Sequence, residues 1–291
     1  MGITAENLYF SFGKEQVLKN INFEWKEPKI YGLLGRNGAG KTTLLSLIGS
    51  FREPKSGKIL INGETPFENA DIMQHVAFMY SKDFSSDTDN LKTLIKSAST
   101  YRPNFDYDYA MELVKKFKVD LKKPLYKLSK GKQSACNVII GLASRTPITI
   151  FDEIYLGMDA PARELFYKEL LKEQDIHPRI IILSTHLVSE MDHLFDDVVI
   201  LKEGELLLHE PFEELISRGV TLIGSKEAVE TISSGKEVIN RDQLGDTHSV
   251  TIYGALSEEE KKRAKELGLQ ISNVSLHDLF IQLTKEEDED E

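Results

Sequence analysis

The chain has 291 residues, 41% hydrophobic and 29% charged, which is enough apolar content for a sizeable buried core. Its net charge is −11, and six of those negative charges lie in the final "EEDEDE", residues 286–291, read as a solvated acidic tail over 285–291. This balance argues against nucleic acid as a main partner, the single Cys136 excludes an intrachain disulfide, and no stretch approaches the ~20 apolar residues of a membrane span. The start "MGITAENLYFSFGK" has neither the basic end nor the apolar run of a signal peptide, so a cytoplasmic location is expected.

Residues 3–25 alternate in polarity and turn at Gly13, which predicts antiparallel strands. "KIYGLL", 29–34, predicts a short buried strand. Glycine-rich "GRNGAG" follows it, and then "KTTLLSLIGSF", an apolar helix. "GKILINGE", 57–64, predicts a strand turning at Asn62 and Gly63. From about 84 to 145 the spacing becomes helical, in "DNLKTLIKSAST", "DYDYAMELVKKFKV" and "GKQSACNVIIGLA". "ITIF", 148–151, and "RIIILST", 179–185, are β-branched runs that suit parallel strands buried on both faces. A helix over about 160–174 completes a βαβ unit, and "DVVILKEGELLLHE" predicts a hairpin turning at Glu203 and Gly204. Beyond 218 a second, smaller unit is expected over 219–284. There "VTLIGS", "SVTIYGA" and "LQISNV" predict strands, and "KEAVETISS", "SEEEKKRAKELG" and "SLHDLFIQLT" predict helices. Ser257 and Glu260 have the spacing of a capping box.

"GRNGAGKT", residues 35–42, fits G-x-x-x-x-G-K-[ST]. Glycines let backbone N–H groups curl around phosphate oxygens, and the following helix directs its positive end to the same place. Lys41 should reach the β- and γ-phosphates, and the Thr42 hydroxyl should ligate Mg²⁺. The strand "ITIFDE" finishes in Asp152, suited to the Mg²⁺ shell, and Glu153, suited to the attacking water. "STH", 184–186, ends the next strand and brings His186 to the same sheet edge. "KLSKGKQSACNVIIGLA", 127–143, is odd in its charge. Lys127, Lys130 and Lys132 gather where a helix should begin, the end that disfavours cations by roughly 0.3–1 kcal/mol each.

These pieces, in this order, resemble the ATPase subunit of ABC transporters, of the bacterial exporter type with a C-terminal extension. The likeness covers about residues 3–210 and includes "LSKG" at 128–131 and "LGMD" at 156–159. It implies an α/β fold. An ABC-type P-loop core over 1–218 would combine a mixed sheet, an antiparallel β subdomain and a helical subdomain over about 84–145, with a small C-terminal α/β domain after it. It implies an ATP-binding loop of Gly35, Asn37, Gly38, Ala39, Gly40, Lys41, Thr42 and Thr43, with adenine stacked on Phe12. Mg would sit on Thr42 and Asp152, and catalysis would fall to Glu153, His186 and Lys41. Asp159 matches the turn that links two active sites. The likeness also implies a second ATPase subunit, identical or different, packed head to tail with ATP between the two. Leu128, Ser129, Lys130, Gly131 and Lys132, the signature, would then face the partner's γ-phosphate, and the misplaced lysines would compensate its charge. A separate transmembrane permease is implied, with transport outward.

Two departures stand out. The family signature is Leu-Ser-Gly-Gly-Gln, whereas this chain has Lys130 and Lys132, with Gln133 one place later. Ser81 stands where the family has a glutamine that touches Mg²⁺ and the water, so slow or asymmetric hydrolysis is expected. Two rival readings remain: an ATPase of the same family with no permease, and a nucleotide-binding scaffold of low activity. The region beyond 219 either clamps or regulates the pair, or only covers the core.

Overall fold

The structure is a computed structural model that describes residues 1–81, 84 and 88–285. The expected acidic tail from 286 onward, and residues 85–87 at the start of the expected helical segment, lie outside the described residues.

Strands β1 (Ile3–Phe12) and β2 (Glu15–Trp25) pair antiparallel, as their alternation predicts. β3 (Ile30–Leu34) is buried at every position and leads through a loop into α1 (Lys41–Ile48). β4 (Ser56–Ile61) returns to β1 and completes a three-stranded sheet, β2-β1-β4. The inward residues Ile3, Leu18, Ile21, Trp25 and Ile61 form one core with Leu44, Leu45 and Ile48 of α1. α2 (Ala70–Met73) and β5 (Val76–Tyr80) follow.

Three helices come next: α3 (Leu91–Tyr101), α4 (Tyr107–Lys116) and α5 (Lys130–Ala143). Asn90, Asp106 and Ser129 cap them by accepting from backbone N–H groups of their first turns. β6 (Ile148–Asp152), α6 (Ala160–Ile176) and β7 (Ile180–Thr185) make the expected βαβ unit. After α7 (Val188–Met191), β8 (Asp197–Lys202) and β9 (Glu205–Pro211) form the expected hairpin. The main sheet runs β5-β6-β7-β3-β8-β9, parallel except for the last pair.

α8 (Phe212–Ile216) leads to a separate antiparallel sheet. Its strands are β10 (Gly219–Gly224), β11 (Val238–Leu244), β12 (Thr247–Tyr253) and β13 (Gln270–Asn273), in the order β11-β12-β10-β13. α9 (Lys226–Ser233) and α10 (Glu258–Glu266) pack on it, burying Leu222, Val229, Ile232, Ile252 and Ala264 in a core of their own. The capping box of Ser257 and Glu260 is present.

Beyond α2, β5, α7 and α8, which the sequence reading does not give, two further features differ from it. β11 was not anticipated, because its outer half, Asp242 to Leu244, is exposed and carries no apolar alternation. α11 (Leu276–Thr284), expected within the small unit, instead lays Leu276, Leu279 and Phe280 on the large core beside Val188, Met191 and Leu215. An amphipathic stripe states that a helix is covered on one face, not by what.

α6 anchors the helical segment through two buried carboxylates. Glu173 receives Arg145 Nε at 3.1 Å and Nη2 at 3.0 Å, and Arg179 Nη1 lies 3.7 Å away. Glu169 receives Lys116 Nζ at 2.6 Å and Tyr109 Oη at 3.3 Å. Arg179 is buried, so removing its acid leaves an uncompensated charge, a loss of about 3–5 kcal/mol. Glu173→Gln is therefore expected to lower the melting temperature by roughly 5–10 °C in calorimetry. An unchanged melting temperature would show that this pairing contributes nothing to stability.

Candidate active site

Parallel pairing sets Tyr80 level with Asp152, Asp152 with Ser184, and Leu34 with Thr185. The next residues therefore gather at one sheet edge: Ser81, Glu153, His186 and the loop that begins at Gly35. Open α/β sheets bind ligands in the crevice beyond the carboxyl ends of such strands.

The loop closes at Gly40, whose φ of 102° lies in the left-handed region. A side chain there would also meet Leu18 Cδ2 at 2.8 Å, so the packing of β2 demands glycine. Lys41 opens α1 and is buried, with Nζ donating to Gly35 O at 2.7 Å and Arg36 O at 3.3 Å. Burial lowers its pKa, opposed by the carboxylates of Glu153 and Asp152. The ammonium is thus drawn across the mouth of the loop, desolvated and suited to an anion.

Asp152 closes β6 and is also buried. Burial raises its pKa, opposed by the neighbouring hydroxyls of Ser184 and Thr42 and by Lys41. Among the described residues its Oδ1 is enclosed without a hydrogen-bond partner. A buried carboxylate oxygen left open in this way suits a cation, and oxygen donors from Asp152 and Thr42 suit a hard divalent one.

Glu153 leaves the strand with φ 51°, a backbone that costs a side-chain-bearing residue roughly 1–2 kcal/mol. Its Oε1 lies 2.9 Å from His186 Nδ1. The turn carrying His186 is pinned by Thr185 Oγ1, which accepts from Leu187 N at 2.9 Å and is 2.6 Å from Tyr155 Oη. Lys41, Asp152, Glu153 and His186, distant in sequence, are thus brought to one crevice.

The signature residues stand beside the segment that follows Glu153. Leu128 is buried, and Ser129 caps α5 by accepting from Lys132 N at 3.4 Å. Gly131 is pressed so close that a side chain there would meet Gly157 O at 2.6 Å. The first turn of α5 therefore touches the segment joining Glu153 to Asp159, backbone to backbone. Asp159 itself caps α6, accepting from Ala162 N at 3.0 Å.

The lysine puzzle resolves differently from the expectation. Lys132 Nζ turns back and donates to Phe117 O at 2.6 Å, at the end of α4. A helix carboxyl end is negative, so the ammonium is well placed there and is not offered to an incoming phosphate. Lys127 lies 5.4 Å over the Tyr126 ring. Lys130 is exposed and borders a cavity with Ser81 and Gly157.

Phe12 is not in the core. It is 43% exposed and shares a cavity with Thr42, Thr43, Phe51, Arg52, Phe78 and Tyr80. The Arg52 guanidinium stands 4.6 Å from the Phe12 ring centroid. Arg52 was not singled out from the sequence; its signal was a cation directly after the loop helix. Asn137 was also missed. Its Nδ2 donates to Tyr80 O at 3.0 Å, tying α5 to the strand end that precedes Ser81.

The sheet, loop and carboxylates define a P-loop ATPase. Comparison with known proteins narrows this. Residues 18–155 match the ABC transporter family. An uncharacterised ABC transporter ATP-binding protein of Methanocaldococcus jannaschii is 30% identical over 215 residues, 73% of this chain and 79% of its own. The ABC transporter ATP-binding protein YtrB of Bacillus subtilis is 27% identical, over 91% of this chain and 92% of its own. The bacitracin transport ATP-binding protein BcrA of Bacillus licheniformis is 28% identical, over 97% and 96%. Among solved structures, an ATP-binding subunit of an ABC transporter agrees in fold with a TM-score of 0.66 at 22% identity, over 74% of this chain and 92% of its own. A dimeric ATP-binding cassette bound to ADP and Pi gives 0.61 at 19% identity, over 72% and 98%. The chain belongs to the ATP-binding subunits of ABC transporters, a family that hydrolyses ATP to power transport.

The contact of Gly131 with Gly157 is testable. Gly131→Ala must push α5 off rigid backbone, and overpacking of this kind costs about 1–3 kcal/mol. ATPase rate should fall roughly tenfold or more, while the affinity for a fluorescent ATP analogue at the Lys41 loop stays as in wild type. An unaltered rate would mean that this contact does not set the position of the signature.

Proposed function

We propose that the chain works as one of two ATPase subunits that close on ATP, energising a separate transmembrane permease at the inner face of the cell membrane. One observation carries the catalytic part: His186 Nδ1 holds Glu153 Oε1 at 2.9 Å beside buried Asp152 and Lys41. In this reading Gly38, Ala39, Gly40, Lys41, Thr42 and Thr43 bind the phosphates through backbone N–H groups and the Lys41 ammonium. Phe12 faces the adenine, with Arg52 sharing its cavity. Thr42 and Asp152 hold Mg²⁺, which neutralises charge on the phosphoryl oxygens. Glu153 orients the water and takes its proton as oxygen bonds to the γ-phosphorus and the bond to ADP breaks. His186 fixes the Glu153 carboxylate. Ser81, too short to reach as a glutamine would, leaves the water less constrained, in keeping with slow turnover.

In the proposed pair, Ser129 and the N–H groups at the start of α5 face the partner's γ-phosphate, and Asp159 lies where the two sites meet. We take residues 1–218 as the ATPase unit and 219–284 as an added unit whose last helix is laid back on the first. No helix among the described residues is long and apolar enough to cross a membrane. The permease is inferred from the family. Outward transport is inferred from the family resemblance alone.

The decisive comparison is wild type against Glu153→Gln. Loss of the base should cut ATPase rate by about 10²–10⁴ while ATP binding persists. Lys41→Ala should abolish binding as well. Equal, negligible rates in wild type and Glu153→Gln would favour a nucleotide-binding scaffold instead. Recovery of a multi-span membrane protein in a mild-detergent pull-down supports the permease; recovery of soluble proteins alone would count against it.

A further inference from the structure

We propose that α11, the last helix of the small unit, positions His186 by packing on α7, so that the small unit helps to set the rate of ATP hydrolysis.

α7 is a single turn, Val188–Met191, with only Leu187 between it and His186. A helix so short has no stability of its own and lies where its neighbours hold it. Val188 and Met191, three residues apart on one face, are both buried. α11 packs directly on α7 and lays Leu276 and Leu279, also buried, into the same core. A further hold on α7 is the ion pair of Glu190 with Arg163 of α6, which is partly exposed and therefore weak. The apolar contact with α11 is thus a main determinant of where α7 sits.

α11 is in turn tied to the small unit. Ser275 Oγ caps it, accepting from Asp278 N at 3.0 Å. Asp278 Oδ1 accepts from Asn240 Nδ2 of β11 at 3.5 Å, and Glu237 Oε1 accepts from Gln282 Nε2 at 3.4 Å. Ile239 of β11 and Tyr253 of β12 pack against the core that α11 and α7 share. α11 therefore stands in contact with both β11 and α7. A shift of α7 is handed on through Leu187, whose N–H is already held by Thr185 Oγ1 at 2.9 Å. It arrives at His186, whose Nδ1 is 2.9 Å from Glu153 Oε1. A misplacement of about 1 Å in such a group can cost about 100-fold in rate. Leu276 and Leu279 are positioning residues, since they act through α7. This inference rests on the reading of Glu153 and His186 as the pair that handles the water.

The test uses the full chain with Leu279→Ala, which opens a cavity under α7. Its kcat for ATP should fall about tenfold, while KM and the affinity for a fluorescent ATP analogue stay as in wild type. In NMR spectra of histidine-labelled protein, the ring resonances of His186, assigned by their loss in His186→Ala, should move. Leu279→Met conserves volume and should restore both the rate and the resonances. Leu276→Val makes a smaller cavity and should give the same pattern at lower amplitude; it decides the matter if Leu279→Ala does not fold. An unchanged kcat overturns the proposal. A lower kcat with the His186 resonances unmoved also overturns it, since the loss would then be general to the fold. A wild-type rate in His186→Ala would overturn the catalytic reading of His186 and this inference with it. Loss of rate in His186→Ala with none in Leu279→Ala removes this inference alone.

Discussion

Asp152 pairs with Ser184, and Leu34 with Thr185, across strands whose every residue is buried. On β6, Ile148 and Ile150 face the core beneath the β2-β1-β4 sheet, while Phe151 faces the core of the helical side. Ile180 and Ile182 of β7 divide from Ile181 and Leu183 in the same way. A slip of one residue would exchange these faces and set unlike surfaces against both cores. The same slip would move Glu153 away from His186. The geometry of the crevice is thus a by-product of hydrophobic register, and the chemistry inherits its precision from apolar side chains that never touch a ligand.

The crevice itself is built out of balance. Lys41 is desolvated, and its ammonium is met by two carbonyls of its own loop. Asp152 is desolvated too, with one oxygen unmatched. Glu153 holds a left-handed backbone. Each feature costs stability, and each is of the kind that an anion and a cation arriving together would relieve. The energy for holding this arrangement comes from elsewhere: the two cores, and the buried carboxylates of α6.

Much of this could be read from the sequence, and the limits were physical. The phosphate loop and "ITIFDE" are legible because their function is local: glycine conformation, helix direction and a strand's polar end are all short-range properties. The capping box of Ser257 and Glu260 was legible for the same reason. What failed depended on a partner distant in the chain. Lys132 looked like a cation awaiting phosphate, because nothing near it in sequence shows that Phe117 O lies 2.6 Å from its ammonium. α11 showed its apolar stripe but not the surface that covers it. β11 had no pattern, because one edge of its sheet stays in water. Gly131 was noticed as part of a motif, yet its reason, the nearness of Gly157 O, is a tertiary fact.

That nearness bears on how two sites could sense each other. α5 carries the signature at its first turn, and Asn137 two turns later donates to Tyr80 O. The helix therefore touches, at separate points, the segment between Glu153 and Asp159 and the strand end before Ser81. The first contact is backbone against backbone and cannot be absorbed by a rotamer change, whereas the second is made by the Asn137 side chain to a backbone carbonyl. A push on the first turn of α5 must move the 154–157 segment or break its own packing. In the proposed pair, that push would come from the partner's γ-phosphate at Ser129. The displaced segment follows directly on Glu153, the chain's own water-orienting residue in this reading. The arrival of ATP in one site would then bear on the carboxylate of the other through rigid backbone contact, and close packing rather than a chain of charges would link them.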